Sequence, residues 1–389
     1  MCVGQLGSLL PHVVVPSVLA AFLIPEWHLS GAEAGLLAGS GAAGYMVTVP
    51  FLATLTDRVD ARKILIIGSA VSALGTILFG LFAAGLWSGA FFNALAGIGF
   101  AGAYMPGLKA LTDRLPAGDS SRAVTLYTSS FSFGVGLSFL VSQLVAESWG
   151  WRTAFLVTAA GPVAMLAVAF LLRPVQPKPV AGRLLDFAPV FQNSQAMGFI
   201  LGYGAHCFEL YGIRTWLVAF WTFVVLAKGQ PDLFTPIVVS VVFSLLAMPA
   251  SIFGNELALK FGRHRAITFV MIGSAVTALL IGFFADGSPW LLLPLLLVYA
   301  FTVPADSGAL TSGMTMAADP RFRGATMAMH STVGFSLSAL GAWAVGVALD
   351  LAGGPSQPSA WLAAFSVLAA GISLGPVALY WSRARTLRA

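Results

Sequence analysis

Residues 53–63 read ATLTDRVDARK and connect two long apolar runs. Five of these eleven residues are charged, although charged residues make up only 9% of the whole chain. An apolar run of about 20 residues crosses a lipid bilayer as a helix. The stretch is therefore predicted to be a short loop between two transmembrane helices, and similar polar clusters separate apolar runs along the rest of the chain.

The composition of the whole chain also predicts an integral membrane protein. Of its 389 residues 58% are hydrophobic, and the mean hydropathy is +0.88, whereas a soluble domain carries about 25% charged residues. The apolar runs are continuous rather than alternating, which excludes a membrane barrel. No basic residue precedes Arg58, so the first run is predicted to be a retained helix rather than a signal peptide. Cys2 and Cys207 both fall in apolar runs, and no disulfide is expected.

The apolar runs predict an all-α membrane protein with twelve transmembrane helices in two pseudo-symmetric six-helix halves. The segment RPVQPKPVAGRLLDFAPVFQNS at 173–194 is the one long polar connection, and it divides the chain into an N-terminal half (1–173), a cytoplasmic linker (174–194) and a C-terminal half (195–389). The predicted helices are 3–24, 31–56, 62–85, 87–113, 120–146, 151–173, 195–226, 232–260, 265–285, 289–318, 323–350 and 359–382.

The distribution of lysine and arginine predicts how the chain is oriented. If every predicted helix crosses once, 17 of the 20 basic residues lie on one side of the membrane. The positive-inside rule makes that side cytoplasmic. Both termini are then expected in the cytoplasm of a bacterium, with the protein in the inner membrane. Because the basic residues form no patch, no nucleic-acid partner is expected.

Two landmarks repeat between the halves. The loop TLTDRVDARK after the second predicted helix matches LALKFGRHR after the eighth, with an offset of 202 residues. SRAVTLY and FRGATMA begin the fifth and eleventh helices, and place Arg122 opposite Arg323 with an offset of 201. Repeated six-helix halves are typical of secondary transporters that rock around a site at the middle of the membrane.

These loops resemble those of the major facilitator superfamily, whose signature is G-x-L-A-D-R-x-G-R-K. Residues 53–63 match it at Asp57, Arg58, Arg62 and Lys63, while Ala53 and Asp60 replace its glycines. A second family signature, G-W-R-x-x-F, is present at 150–155. The resemblance implies transport by alternating access, with a gating rather than a substrate role for the basic and acidic loop residues. The gating set implied is Asp57, Arg58, Arg62, Arg122, Lys260, Arg263 and Arg323.

The sequence departs from the drug-exporting members of the family in two places. Asn93 stands where many members carry the arginine linked to proton handling. The fifth helix contains FSFGVGLSFL without the proline associated with antiporters. Both departures weaken the interpretation as a drug exporter, and the missing proline favours uptake. The stretch AGAYMPGLKALTDRLP is most similar to bacterial permeases of the cyanate and nitrate type.

Motifs typical of enzymes and metal sites do not support a catalytic function. GSGAAG at 39–44 fits G-x-G-x-x-G but lies inside an apolar helix, where small residues allow close helix packing. No H-E-x-x-H, C-x-x-C or G-x-S-x-G occurs, so no enzyme activity, cofactor or metal is expected. The methionines of GMTMAAD and TMAMHST could bind a soft metal, although helix packing explains them better.

The strongest functional signal lies at 202–221, GYGAHCFELYGIRTWLVAFW. This predicted seventh helix carries His206, Glu209 and Arg214, and a charge inside a membrane costs a few kcal/mol unless it faces a cavity or is paired. Successive residues advance by 100°, so Glu209 and Arg214 lie about 140° apart and cannot pair on one helix. Asp306, beside Pro304, is the predicted counter-ion of Arg214. The alternative is that these groups only lock the helices together.

The predicted function is secondary active transport of a small anion or organic acid, driven by protons. A carboxylate in a low-dielectric cavity can take up a proton near neutral pH, and Arg214 with His12 and His330 would supply cationic donors. The alternatives are proton-coupled efflux of amphiphilic compounds and, from another class, a membrane receptor or enzyme. The expected partners are the solute, protons and the lipid bilayer, with the protein a monomer. The predicted substrate-binding residues are Arg214, His12, His330, Tyr104, Tyr203, Tyr211 and Trp216, and the proton-coupling residues are Glu209, Asp306 and His206.

Overall fold

The computed structural model describes residues 1–56, 58–115, 120–177, 186–229 and 234–386. The chain is built from helices, and the described part contains eleven helical segments long and apolar enough to cross a membrane, two of which, Trp151–Leu171 and Pro289–Ala317, each consist of two consecutive helices. The helices are α1 (Cys2–Ser8), α2 (Val14–Val18), α3 (Ile24–Trp27), α4 (Gly31–Leu55), α5 (Ala61–Phe82), α6 (Leu86–Thr112), α7 (Ser120–Trp149), α8 (Trp151–Thr158), α9 (Ala160–Leu171), α10 (Ala188–Gln192), α11 (Ser194–Ala227), α12 (Pro236–Phe261), α13 (Arg263–Phe283), α14 (Pro289–Ala305), α15 (Ser307–Ala317), α16 (Arg323–Leu351) and α17 (Pro358–Thr386).

The first predicted span, residues 3–24, is broken rather than continuous. It consists of α1, a run of turns, α2, a π-helical turn at Leu19–Leu23 and α3. Pro11 and Pro16 lack the N–H that a regular helix needs. Ser138 of α7 compensates, because its Oγ accepts from the backbone N–H of Val13 at 3.2 Å and donates to the carbonyl of Leu10 at 2.6 Å. A neighbouring helix thus satisfies the backbone groups that the break releases.

Two further predicted spans are interrupted near a proline. The tenth ends its first part at Ala305 and resumes at Ser307, so Asp306 lies at the junction of α14 and α15, two residues after Pro304. The sixth divides at Ala159 into α8 and α9, with Pro162 close behind. In both places proline removes a backbone donor from the helix.

The two halves pack against each other where α4 crosses α16. Gly31 and Gly346 lie at the crossing, and a methyl group at Gly346 would collide with the carbonyl oxygen of Gly31. Small residues of this kind let membrane helices approach closely. Asp350 at the end of α16 accepts from the backbone N–H groups of Gly31 and Ala32 at 2.6 and 2.7 Å. A carboxylate of one half therefore caps a helix of the other, where the helix dipole favours negative charge.

A second contact between the halves joins α7 to α12. Gln143 is buried and donates from Nε2 to Oγ of Ser240 at 2.9 Å. We term the end of the bundle that carries the loop at 53–63 the basic end. This contact and the α4–α16 crossing both lie toward the opposite end of the bundle. The halves are therefore held together at the end away from the basic loops.

Candidate substrate-binding cavity

A central cavity lies between the two halves, beside the broken first span. His12 and Tyr45 line it from the N-terminal half, and Tyr211, Arg214 and Phe335 line it from the C-terminal half. Its volume is about 70 Å³, roughly half of the 150 Å³ in which an engineered protein cavity holds a benzene ring. In this conformation the cavity admits a few water molecules, and a larger solute requires the halves to move apart.

Arg214 is the principal cation of the cavity. Its side chain is buried at 5% exposure, and within the described chain neither Nε nor Nη1 has a hydrogen-bond partner. The guanidinium carbon lies 5.1 Å from the centre of the Tyr211 ring, an arrangement that provides some cation–π attraction. Buried guanidinium groups ordinarily pair with an acid, because an unpaired buried charge is costly. The site therefore presents free donors suited to a carboxylate.

The sequence-based pairing of Arg214 with Asp306 is wrong. Asp306 lies next to His206, with Oδ1 2.7 Å from the ring nitrogen Nδ1. The same nitrogen lies 3.1 Å from the carbonyl oxygen of Val303. His206 and Arg214 are eight residues apart on α11, which corresponds to about 12 Å along the helix axis. The break after Pro304 places Asp306 at the level of His206, more than two helical turns from Arg214.

His12 and Tyr211 meet on the cavity wall. The hydroxyl of Tyr211 lies 3.3 Å from Nε2 of His12. The His12 ring also packs on Phe100 and Phe131, with ring centroids at 5.3 and 5.4 Å. Because Pro11 breaks the helix just before it, His12 reaches the cavity from a turn rather than from a regular helix.

Glu209 occupies a separate polar pocket within the C-terminal half. Its side chain is fully buried, and Oε1 accepts from Oγ of Ser274 at 2.8 Å and from the hydroxyl of Tyr299 at 3.0 Å. Its second oxygen, Oε2, has no hydrogen-bond partner in the described residues. As the helical spacing predicts, Glu209 does not pair with Arg214.

A third polar cluster contains most of the other predicted residues of the C-terminal half. Tyr203 stacks on His330 with centroids 3.8 Å apart and lies 5.5 Å from the ring of His206. Nδ1 of His330 is buried and lacks a hydrogen-bond partner in the part of the chain that the structure describes. His330, Tyr203 and His206 thus lie together with Asp306, and away from the Arg214 cavity.

The remaining two aromatic residues predicted to bind substrate lie outside the cavity lining. Tyr104 packs against Phe100 and Tyr127 within the N-terminal half, with centroids at 5.8 and 6.2 Å. Trp216 is buried and donates from its indole nitrogen to the carbonyl of Ala342 at 3.0 Å. Trp216 therefore helps to hold α11 against α16.

The predicted gating residues of the N-terminal half lie in a network at the basic end. Arg62 donates to the carbonyls of Ala169 and Phe170 at 3.0 and 3.1 Å, which caps the end of α9. Arg58 lies exposed in the turn before α5. Asp57, and the side chain of Arg122, lie outside the described residues.

Asp60, noted in the sequence only as a replacement for glycine, is the acidic centre of this network. It caps the N-terminus of α5, and it accepts from Arg114 at 3.0 Å and from the backbone N–H groups of Arg62 and Val175 at 2.9 Å each. Partial burial opposes the charge, yet these hydrogen bonds hold the pKa of Asp60 below its ordinary value. The network joins the ends of α6 and α9 to the loop at 53–63.

The corresponding residues of the C-terminal half make a different set of contacts. Arg263 donates to Oγ of Ser312, which in turn donates to Asn255 at 3.1 Å. The ammonium group of Lys260 lies 5.4 Å from the ring of Phe261. Arg323 begins α16 with an exposed side chain.

Tyr45 and Asn93 are among the cavity residues that were not predicted to bind substrate. Tyr45 lines the cavity with its ring stacked on Phe335 at 3.8 Å. Asn93, which the sequence marks only as a departure from the family pattern, donates from Nδ2 to the carbonyl of Leu37 and to Oγ of Ser40, both at 3.0 Å. A polar residue within an apolar helix was the available signal for Asn93, whereas tyrosine is too common in membrane helices to indicate a site.

Two helical halves with a cavity between them form the architecture that is typical of secondary transporters. The family model for the Major Facilitator Superfamily matches residues 1–342, and the chain belongs to that superfamily. The predicted family and fold class are thereby confirmed, and the protein is a transporter rather than an enzyme.

Relatives of known function match only part of the chain. The gentisate transporter of Corynebacterium glutamicum is 29% identical over 166 residues, which cover 42% of this chain and 37% of that protein. The gallate transporter of Pseudomonas putida is 29% identical over 192 residues, which cover 49% of this chain and 41% of that protein. The chain therefore spans about two fifths of the length of the curated relatives it matches.

Solved structures match the whole fold at low sequence identity. A D-xylose-proton symporter superposes with a TM-score of 0.75 at 15% identity, covering 97% of this chain and 96% of that one. A bacterial homologue of the human lysosomal transporter Spinster, inward-facing and occupied, superposes with a TM-score of 0.74 at 16% identity, covering 98% and 94%. These likenesses establish the fold.

Proposed function

We propose that the protein takes up a small organic acid across the bacterial inner membrane in symport with protons. The observation that carries the proposal is Arg214, whose guanidinium lies in the central cavity with two nitrogens that lack a partner in the described structure. A guanidinium binds a carboxylate through two parallel hydrogen bonds. An acid bound there would place its negative charge against these two nitrogens.

The relatives support an acidic substrate. The two proteins described above are named as transporters of gentisate and of gallate, which are small organic acids. A niacin transporter of Acinetobacter baylyi is also 27% identical over 135 residues. Each of these substrates carries a carboxylate for which Arg214 is a suitable partner.

Proton coupling is proposed through the acidic groups of the C-terminal half. Glu209 and His206 lie on α11, the helix that also carries Arg214. Asp306 contacts His206 from the junction of α14 and α15. A change in the charge of Glu209 or Asp306 alters the packing of α11. Substrate binding and proton binding therefore act on the same helix.

The proposed function is tested by measuring uptake into proteoliposomes that contain the purified protein. With the outer solution more acidic, radiolabelled benzoate or gentisate is expected to accumulate above the level reached in protein-free liposomes under the same pH gradient, and a protonophore should abolish this difference. A parallel thermal-shift screen should show stabilisation by the same acids, because a ligand that binds only the folded state raises its stability. Transport coupled to proton exit would favour efflux, and the absence of acid binding would overturn the proposal.

We also propose that both termini and the linker at 174–194 are cytoplasmic, that residues 1–173 and 195–389 move as two units within the bilayer, and that the protein acts as a monomer. The asymmetry of the basic residues supports this orientation. The halves are in contact at the end opposite the basic loops, so in this orientation the protein is closed toward the periplasm.

The orientation predicts which loops a membrane-impermeant maleimide can reach. In a background with Cys2 and Cys207 replaced by alanine, Val180→Cys in spheroplasts should be labelled only after the membrane is disrupted. Ser356→Cys is the matched control, since it lies exposed in the loop between α16 and α17 and should react in intact spheroplasts. Labelling of Val180→Cys in intact spheroplasts would show that the orientation is reversed.

A further inference from the structure

Two buried hydroxyl groups in the wall of the cavity have no hydrogen-bond partner in the part of the chain that the structure describes. The side chains of Tyr45 and Ser8 are 1% and 3% exposed, and neither Oη of Tyr45 nor Oγ of Ser8 is bonded to any described residue. Both residues line the cavity that contains Arg214. Nearly all buried polar side chains in native proteins are hydrogen-bonded, so an unpaired hydroxyl beside a ligand cavity indicates a missing partner.

Neighbouring hydroxyl groups of the same region are satisfied. Ser17 donates to the carbonyl of Val13 at 2.6 Å, and Ser138 donates to the carbonyl of Leu10 at 2.6 Å. Serine in a helix commonly bonds to a backbone carbonyl in this way. Ser8, the last residue of α1, does not, and its hydroxyl remains available at the point where the helix breaks.

The ring of Tyr45 is held in place by aromatic neighbours. It stacks on Phe335 at 3.8 Å with an interplanar angle of 24°, and lies 5.7 Å from Phe100. Packing on two sides leaves the ring little freedom, and therefore determines where its hydroxyl points. The ring of Tyr211 lies 5.8 Å from Phe335, which connects Tyr45 to the residues around Arg214.

Asn93 adds an acceptor to the same wall. Its Nδ2 donates to the carbonyl of Leu37 and to Ser40, so the orientation of the amide is determined and Oδ1 is the remaining acceptor. The cavity thus combines a cation, aromatic faces, an amide oxygen, and the two buried hydroxyl groups that have no partner in the described residues.

We propose that Tyr45 and Ser8 form a hydroxyl-recognition subsite, and that the substrate is a hydroxylated aromatic acid. This proposal rests on the proposed function, because Arg214 binds the carboxylate while the subsite binds the hydroxyl. The aromatic side chains of His12, Tyr211 and Phe335 provide faces on which a ring can stack. A substrate hydroxyl that bonds to Tyr45 or to Ser8 gives that buried group its partner.

The test compares benzoate with its three monohydroxy isomers by isothermal titration calorimetry. The wild-type protein is expected to bind the best isomer about tenfold tighter than benzoate, since one hydrogen bond to an otherwise unpaired buried group is worth about that factor. Tyr45→Phe or Ser8→Ala should reduce the preference to about twofold, with benzoate bound as in the wild type. Tyr380→Phe, at an exposed position of α17, is the control that should keep the full preference.

The melting temperature separates recognition from folding. Tyr45→Phe removes a buried hydroxyl that lacks a partner, so the variant should melt at or slightly above the wild-type temperature. A substantial fall would mean that the hydroxyl stabilises the fold, which would overturn its assignment to the substrate.

The remaining binding results distinguish an error in the subsite from an error in the proposed function. If benzoate binds in a manner that depends on Arg214 but all isomers bind within twofold of it, the subsite is wrong and the proposed function stands. If the preference persists in the Tyr45→Phe, Ser8→Ala double variant, the hydroxyl is recognised elsewhere and the subsite is again wrong. If no acid binds, or if binding is unaffected by Arg214→Lys, the proposed function fails and the subsite fails with it.

Discussion

Arg214→Ala is expected to weaken binding of the transported acid by more than 100-fold, because the substitution removes the one cation that faces the cavity with unpaired donors in the described structure. Truncating a buried hydrogen-bonded charge pair costs about 2–5 kcal/mol, and about 1.4 kcal/mol corresponds to a factor of ten. Arg214→Lys should cause about a tenfold loss, since lysine offers a point charge in place of a fork of two donors. Titration calorimetry with the best-bound acid measures both variants.

The stability of these variants provides a second readout. A buried cation without a counter-ion is costly, so Arg214→Ala should leave the melting temperature of the empty protein unchanged or raise it. Because Asp306 contacts His206 and not Arg214, the stability effects of Arg214→Ala and Asp306→Ala should be additive in the double variant.

The matched control is Arg152→Lys. Arg152 is not part of the cavity lining and donates to the carbonyls of Gly80 and Ala83 at 3.2 and 3.0 Å, so its substitution should leave acid binding unchanged. Wild-type affinity in Arg214→Lys would show that Arg214 has a structural role. A stability coupling between Arg214 and Asp306 would show that the two side chains meet in a substantially populated state.

Glu209→Gln is expected to abolish accumulation of the acid against its gradient while exchange of internal for external acid continues. Glutamine has nearly the same shape as glutamate and keeps an oxygen that can accept from Ser274 and Tyr299, so the variant should fold normally. The glutamine amide does not bind and release a proton, so the proton gradient can no longer drive transport. Uptake and exchange in proteoliposomes, with and without an imposed pH gradient, distinguish these two activities.

Glu147→Gln and Asp306→Asn complete this experiment. Glu147 is exposed near the end of α7, and its substitution should leave uphill transport intact. If Glu209→Gln accumulates acid normally and Asp306→Asn does not, the proton is carried by the His206–Asp306 pair. Undiminished uphill transport in both Glu209→Gln and Asp306→Asn would contradict the hypothesis that either acid couples transport to protons.

Much of the transmembrane architecture was predictable from the sequence because it depends on hydrophobicity along the chain. A lipid bilayer requires helices of about 20 apolar residues, and each such run can be recognised from its own sequence, whichever helices pack against it. The predicted span at 195–226 corresponds to α11 at Ser194–Ala227 for this reason. Polar residues inside such a run are equally visible, and so Glu209, Arg214 and Asp306 could be identified as candidates.

The partners of those residues were not predictable from the sequence. The position of a side chain along its own helix follows from the helical repeat, but its depth relative to a residue on another helix depends on how the two helices pack. Pro304 indicated a break beside Asp306, yet the sequence did not indicate that the break would bring Asp306 to His206 and leave Arg214 unpaired. The first span shows the same limit. Pro11 indicates that the helix is interrupted, but the sequence does not indicate that Ser138 of α7 bonds the backbone groups of Val13 and Leu10 at the interruption.

The sequence by itself thus determined the membrane class, the two repeated halves and the identity of the buried polar residues, because each of these follows from composition, repeat spacing and hydrophobicity along the chain. Only the tertiary structure decided which polar residues share the cavity. It placed Arg214 with His12, Tyr211 and Tyr45, and it placed Glu209 with Ser274 and Tyr299. The physical reason is that a cavity forms from the packing of several helices, and packing depends on long-range contacts such as the Gly31–Gly346 crossing rather than on local sequence.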